Sequence, residues 1–280
     1  MPKNGHFKAE GLISRWVGKI RNNRNFRIIG QSTSLVYLHF KISVIMKVIA
    51  GNWKMNLTLN EALDLAISIK NSNKNEIILF PPSIYALKIK ELLKDKNIKV
   101  GVQNVFYEEF GAFTGEISVP MVKSCNLDYI LVGHSERRKL FYETDDIINK
   151  KIKKALSFNL NVILCVGETL SERESKKHFE VIKRQVLSAI EGIDNFKNLK
   201  IAYEPVWAIG TGINAKPEDA NEIHHFIKEI INLYVLYGGS VNENNAYSLL
   251  SQNYIDGLLI GNSSLKKASF NKIIDIAELF

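Results

Sequence analysis

Eight short apolar runs, regularly spaced and separated by longer amphipathic stretches, constrain this chain more than any other feature. They fall at 47–51, 76–80, 99–103, 129–132, 161–166, 200–203, 234–237 and 257–260. Several are apolar throughout instead of alternating with polar residues, which suits parallel strands covered on both faces. Parallel neighbours need a crossover, and the intervening sequence offers helices for it. Thr58-Leu-Asn-Glu61 reads as a capping box opening a helix over 62–70, with Leu63, Ala66 and Ile67 on one face. Ser171-Glu-Arg-Glu174 reads as another, opening a helix that runs through Phe179, Ile182, Val186 and Ile190. Pro217 suits the first position of a helix continuing over 220–231. Further helices are expected at 83–94, 145–158, 244–250 and 267–279.

Eight strands with helical sequence after each place the chain in the α/β class, as a closed (β/α)8 barrel forming a single domain over residues 46–280. An open doubly wound sheet is the rival architecture. It usually carries a GxGxxG turn after its first strand, and this sequence has none there.

The net charge of +8 is concentrated at one end. Within residues 1–45, Lys3, Lys8, Arg15, Lys19, Arg21, Arg24, Arg27 and Lys41 stand against Glu10 alone. The rest is therefore close to neutral, and no nucleic-acid partner is expected for the barrel. Residues 1–45 form a basic N-terminal extension, Arg-rich and acid-poor like an organelle-targeting presequence, but without a clear amphipathic stripe. Met46 stands directly before the first strand and is the simpler candidate for the physiological start; membrane-surface contact is a third reading. No apolar run reaches membrane-spanning length, since Lys41 interrupts the best candidate. Cys125 and Cys165 lack CxxC spacing, so two free thiols in a reducing compartment are expected, and metal binding is not.

The unusual polar residues follow the strands, and in a barrel that end carries the chemistry. Asn52 and Lys54 alternate with bulky neighbours after the first run. His134 follows the fourth, where a helix begins; the positive end of that helix disfavours imidazolium, so a neutral ring is expected. Glu204 ends the sixth run and is followed by Pro205, Trp207 and a glycine-punctuated stretch, as for a base beside a mobile loop. Tyr237-Gly-Gly-Ser240-Val and Gly261-Asn262-Ser-Ser follow the seventh and eighth, where exposed N–H groups can surround a phosphate. Each has a plainer reading: an exposed turn Glu, a solvated Lys, a capped structural His, ordinary glycine turns. Glu136 and Arg137 are expected to form supporting ion pairs. Together the set suits proton abstraction beside a carbonyl on a small phosphorylated substrate.

Six motifs in order give the chain a resemblance to the triosephosphate isomerase family. They are Gly51-Asn-Trp-Lys-Met-Asn56, Gly111-Ala-Phe-Thr-Gly-Glu116, Val132-Gly-His-Ser-Glu-Arg-Arg138, Cys165-Val-Gly-Glu168, the stretch from Ala202 to Gly212, and Tyr237-Gly-Gly-Ser-Val241. The resemblance implies a cytoplasmic TIM barrel that interconverts dihydroxyacetone phosphate and D-glyceraldehyde 3-phosphate, with no cofactor, in glycolysis and gluconeogenesis. It implies Glu204 as base, His134 as electrophile, and Asn52 and Lys54 on substrate, with Lys54 also stabilising charge. Gly210, Ser240, Gly261 and Asn262 are implied as phosphate contacts, and Pro205 to Gly212 as a closing lid. A homodimer through the loop from Gly111 to Glu116, with Thr114 reaching the neighbouring site, follows from the resemblance alone.

The chain departs from the family pattern in four places. Asn262 replaces a glycine, Ile213-Asn214-Ala215 forms an unusual trailing hinge, and the basic extension has no counterpart. The interval from Glu204 to Tyr237 is also short, so truncation of the sixth helix or its connection is expected. A non-catalytic phosphate binder on the same fold is the functional rival, and the retained Glu204, His134 and Lys54 argue against it. An adaptor role for the extension is permitted by its charge, but it lacks the aromatic interleaving that single-stranded nucleic acid favours.

Overall fold

A computed structural model describes residues 46–208 and 215–280 of the chain. The N-terminal extension, Gly210, and the hinge residues Ile213 and Asn214 lie outside the described residues.

Eight parallel strands close into a barrel in sequence order: β1 Val48–Asn52, β2 Glu76–Phe80, β3 Ile98–Val102, β4 Tyr129–Val132, β5 Asn161–Val166, β6 Leu199–Tyr203, β7 Val235–Tyr237 and β8 Gly257–Ile260. β8 pairs back onto β1, with Ile49 opposite Leu258 and Gly51 opposite Ile260. Successive side chains leave a strand on opposite faces, and here both faces are apolar. Val48, Ala50, Ile78, Phe80, Leu131, Ile163, Cys165, Ala202, Leu236 and Leu259 fill the interior, while Ile49, Ile77, Val100, Ile130, Val162 and Ile201 pack in the cluster shared with the helices. Burial on both sides explains why the runs read as continuously apolar.

Inward positions at the lower end include three polar side chains that satisfy one another. Tyr129 Oη donates to Glu76 Oε1 at 2.6 Å and receives Lys200 Nζ at 2.7 Å. Lys200 also pairs with Glu76 Oε2 at 3.3 Å. On β6 the inward series Lys200, Ala202 continues to Glu204, which therefore emerges at the upper mouth.

The helices are α1 Leu59–Ser68, α2 Ser83–Leu92, α3 Val119–Ser124, α4 Ser135–Leu140, α5 Asp145–Ser157, α6 Leu170–Glu174, α7 His178–Ile190, α8 Pro217–Ile230, α9 Ala246–Leu250 and α10 Lys267–Ala277. The box at Thr58 is present, with Thr58 N–H on Glu61 Oε2 at 2.7 Å. The second box lies two residues earlier than the sequence suggests: Thr169 caps α6 and its N–H reaches Glu172 Oε2 at 2.8 Å. Lys176, in the left-handed region at φ 58°, separates α6 from α7, so one expected helix is two. The short helix α3 escapes sequence reading because six residues span under two turns and show no periodic stripe, whereas α4 begins after His134 as expected.

The sixth crossover helix, α8, keeps 14 residues. A short connection, Ile231 to Tyr234, joins it to β7 at the lower end of the barrel, away from Glu204.

Candidate active site

The upper mouth is assembled from strand ends that are far apart in sequence. Asn52 ends β1, and its Oδ1 accepts the N–H of Lys54 at 3.0 Å. That bond turns the chain back on itself, and Lys54 adopts φ 52°, a conformation uncommon for a residue with a side chain. Gln103 Nε2 holds the Lys54 carbonyl at 2.9 Å from β3's side. The Lys54 ammonium then points to Glu136 Oε1 at 2.6 Å.

His134 breaks the inward alternation of β4 because Gly133 takes φ 75°, where an L side chain is strained. The turn sends His134 into the mouth as the N-cap of α4, with Nδ1 accepting the N–H of Glu136 at 3.2 Å. An accepting Nδ1 leaves the proton on Nε2, which faces Glu204 Oε1 at 3.0 Å. This arrangement directs Nε2–H at the carboxylate, and the helix N-terminus expected to disfavour imidazolium acts against that carboxylate's charge. Burial lowers the ring's pKa, yet the charge and hydrogen bond of Glu204 outweigh burial and raise it above the ordinary histidine value.

Glu204 is 2% exposed. Its Oε1 meets His134, and its Oε2 accepts the N–H of Ser135 at 2.9 Å. Burial pushes this carboxyl's pKa up, but His134, the Ser135 N–H and the Lys54 charge together pull it below the usual range. The group is therefore ionised at neutral pH, as a base must be. Below it, burial and then the Glu204 charge push the Cys165 thiol well up.

Four supporting residues have no role assigned from the sequence: Gly167, Ser135 and Glu168, which stand within the family motifs, and Gln185, which does not. Gly167 lets β5's loop lie against β6's end: a Cβ there would come 1.7 Å from the Glu204 carbonyl oxygen. Gln185 brackets Gly167, accepting its N–H at 2.8 Å and donating to its carbonyl at 3.1 Å. Ser135 contributes a main-chain donor, which no residue-type pattern can reveal. Glu168, fully buried, accepts from Trp207 Nε1 at 2.9 Å and Tyr203 Oη at 3.1 Å, and receives Arg173 at 3.2 Å. It thereby anchors the 3₁₀ turn Val206–Ala208 that follows Pro205.

A cavity of about 250 Å³ opens above these groups. Asn52, Lys54, His134, Glu204, Ser240, Gly261 and Asn262 all line it, with Gly238 and Gly239 completing one wall. The remaining expected contact, Gly210, lies outside the described residues. Asn262 is exposed and is not among the described residues with positive φ, so its backbone accommodates the side chain that replaces glycine. Among the described residues no three His, Cys, Asp or Glu side chains gather as a metal site, and no helix is long and apolar enough to cross a membrane.

A family model described as triosephosphate isomerase matches residues 47–277. The chain is 46% identical over 243 residues to the triosephosphate isomerase of Alkaliphilus metalliredigens (strain QYMF), covering 81% of this chain and 98% of that protein. It is 47% identical over 247 residues to the protein of that name from Dictyoglomus thermophilum, with the same shares covered. The triosephosphate isomerase of Legionella pneumophila (strain Paris) is 44% identical over 242 residues, 81% of this chain and 97% of that protein. A closed eight-stranded barrel, a carboxylate and histidine paired at its mouth, and matches that run nearly end to end through these relatives agree: the chain belongs to the triosephosphate isomerase family.

Proposed function

We propose that this chain performs its family's reaction, interconverting dihydroxyacetone phosphate and D-glyceraldehyde 3-phosphate, by passing one proton between adjacent carbons through an enediolate. Glu204 is the base that removes and returns the proton. Its two oxygens, now bonded to His134 and the Ser135 N–H, exchange those bonds for the substrate carbon when a ligand enters. The Nε2–H of His134, released from Glu204, then donates to the substrate oxygens that gain charge. A neutral donor serves both oxygens in turn, because the proton it lends is readily recovered. Asn52 and Lys54 lie on the same wall of the cavity and bind substrate, and the Lys54 ammonium stabilises the developing negative charge.

The phosphate is held by main-chain donors of the loops after β7 and β8, around Ser240, Gly261 and Asn262, with Gly210 joining from a lid that begins at Pro205. The Glu204–His134 contact at 3.0 Å, on the floor of a cavity walled by glycine-rich loops, carries this reading.

The assembly is a cytoplasmic homodimer in this reading. Met55 is 96% exposed, and Phe110, Phe113, Phe141 and Tyr142 are also exposed. Phe141 shares one recess with Met55 and another with Gly115 and Glu116, so the apolar surface adjoins the loop from Gly111 to Glu116. Such a continuous apolar surface favours a protein partner, here a second copy.

A coupled assay for triose phosphate isomerisation, run on the full chain and on a chain starting at Met46, tests both the activity and the independence of the barrel. Equal turnover by the two is expected. No turnover by either would reject the activity, and loss on truncation alone would give residues 1–45 a part in it.

A further inference from the structure

We infer that Ser263 is a positioning residue for phosphate binding, setting the orientation of the β7 loop through a hydrogen bond across the gap between β7 and β8. The inference rests on the function proposed above and deepens it.

β7 and β8 are joined at only two paired positions, Leu236 with Gly257 and Tyr237 with Leu258. Beyond them the loops that wall the cavity have no ladder to hold their spacing. The Ser263 hydroxyl bridges that gap, donating to the Val241 carbonyl at 2.6 Å. The other face of the same peptide is held too, because Asn242 N–H donates to Asn245 Oδ1 at 2.9 Å. Asn245 Nδ2 in turn occupies the Ser240 carbonyl at 3.0 Å.

Two successive carbonyls of the β7 loop are therefore engaged by side chains. The N–H groups of Gly239, Ser240, Asn262 and Ser263 have no hydrogen-bond acceptor among the described residues. This division matters to an anion. A phosphate dianion is drawn to N–H dipoles and repelled by carbonyl oxygens, so a loop binds it well only while its carbonyls are held elsewhere. Ser263 holds one of the two and simultaneously fixes the distance between the walls. A second tie lies further out, where the Ser269 hydroxyl bonds the Glu243 carboxylate, so the loops remain attached when Ser263 is changed.

The test compares wild type, Ser263→Ala and Ser263→Thr, which retains the hydroxyl. With D-glyceraldehyde 3-phosphate, Ser263→Ala is expected to raise KM about three- to tenfold, the scale of one hydrogen bond, with kcat within about twofold. The inhibition constant for inorganic phosphate should weaken in parallel, while kcat/KM for unphosphorylated D-glyceraldehyde stays unchanged. Ser263→Thr should restore both KM and phosphate inhibition. An unchanged KM, or equal losses on the phosphorylated and unphosphorylated substrates, would overturn the role. If wild type proves inactive, the functional reading falls separately. Direct titration with inorganic phosphate then decides for Ser263: weaker binding by Ser263→Ala supports it, and equal binding overturns it.

Discussion

Glu204 Oε1 sits 3.0 Å from His134 Nε2, and the Nδ1 of the same ring accepts the N–H of Glu136 at 3.2 Å. The ring's two nitrogens are therefore assigned opposite roles by main chain and carboxylate together. A carboxylate ionised by its surroundings faces an imidazole N–H, the pairing that the proposed proton transfer beside a carbonyl requires.

Shortening the base tests this geometry directly. Glu204→Asp withdraws the carboxylate by one methylene from both His134 and the substrate carbon. Turnover should fall by about 10²-fold or more, as misplacement by an ångström does, while affinity for an unreactive substrate analogue changes little. A rate near wild type in the coupled assay would remove Glu204 as base.

Lys54 reaches the cavity with its ammonium on Glu136. Lys54→Ala removes a charge-assisted contact to substrate and should reduce kcat/KM by roughly 10- to 100-fold, with KM raised and kcat lowered. Glu136→Gln leaves the ammonium in place and should cost much less. Equal losses in the two variants would show that the ion pair, not the ammonium, is what matters.

Gly167 is tested by a single methyl group. A Cβ built there meets the Glu204 carbonyl oxygen at 1.7 Å, so β5's loop or β6's end has to move. Gly167→Ala should destabilise the fold by about 1–3 kcal/mol and lower kcat more than it raises KM, because the displaced element carries the base. Urea unfolding and steady-state kinetics on the same preparation check both, and an unchanged kcat would separate Gly167 from the site.

His224 on α8 provides a pH prediction away from the chemistry. Burial, reinforced by Lys228 and Lys47 against the main-chain bonds at Tyr254 and Val235, lowers its pKa from 6.5 to about 3. The unfolded chain then takes up the proton first as pH falls. Its contribution is complete above pH 6.5 and is lost between 6.5 and about 3. Replacing it as His224→Gln should flatten the slope of unfolding free energy between these limits by about 1.4 kcal/mol per pH unit, one proton's worth. Denaturant unfolding at a series of pH values and one protein concentration measures it; an unaltered slope would contradict the assignment.

The fold was largely legible because its signal is local. Eight apolar runs bounded by polar and glycine residues survive inspection one at a time, and the structure shifts their ends by only a residue. Legibility failed where the local signal is short or ambiguous. The six-residue α3 lacks a period, and Thr169 with Glu172 competes with Ser171 and Glu174 for one capping pattern. The interval from Glu204 to Tyr237 was readable as a length, and the structure fills its second half with the 14-residue α8 and a short turn before β7.

Local pattern specifies the barrel, the family motifs and the residue types at each strand end, since strand alternation alone carries β6's inward series from Lys200 through Ala202 to Glu204. Tertiary structure decided how those types act. His134 and Glu204 stand on strands that are not neighbours, and only closure of the barrel brings their side chains to 3.0 Å. The Ser135 N–H, the φ of Lys54 and the Ser263 bond to Val241 likewise depend on backbone direction in space. A main-chain donor carries no residue-type signature, so its part in a site is written only in the fold.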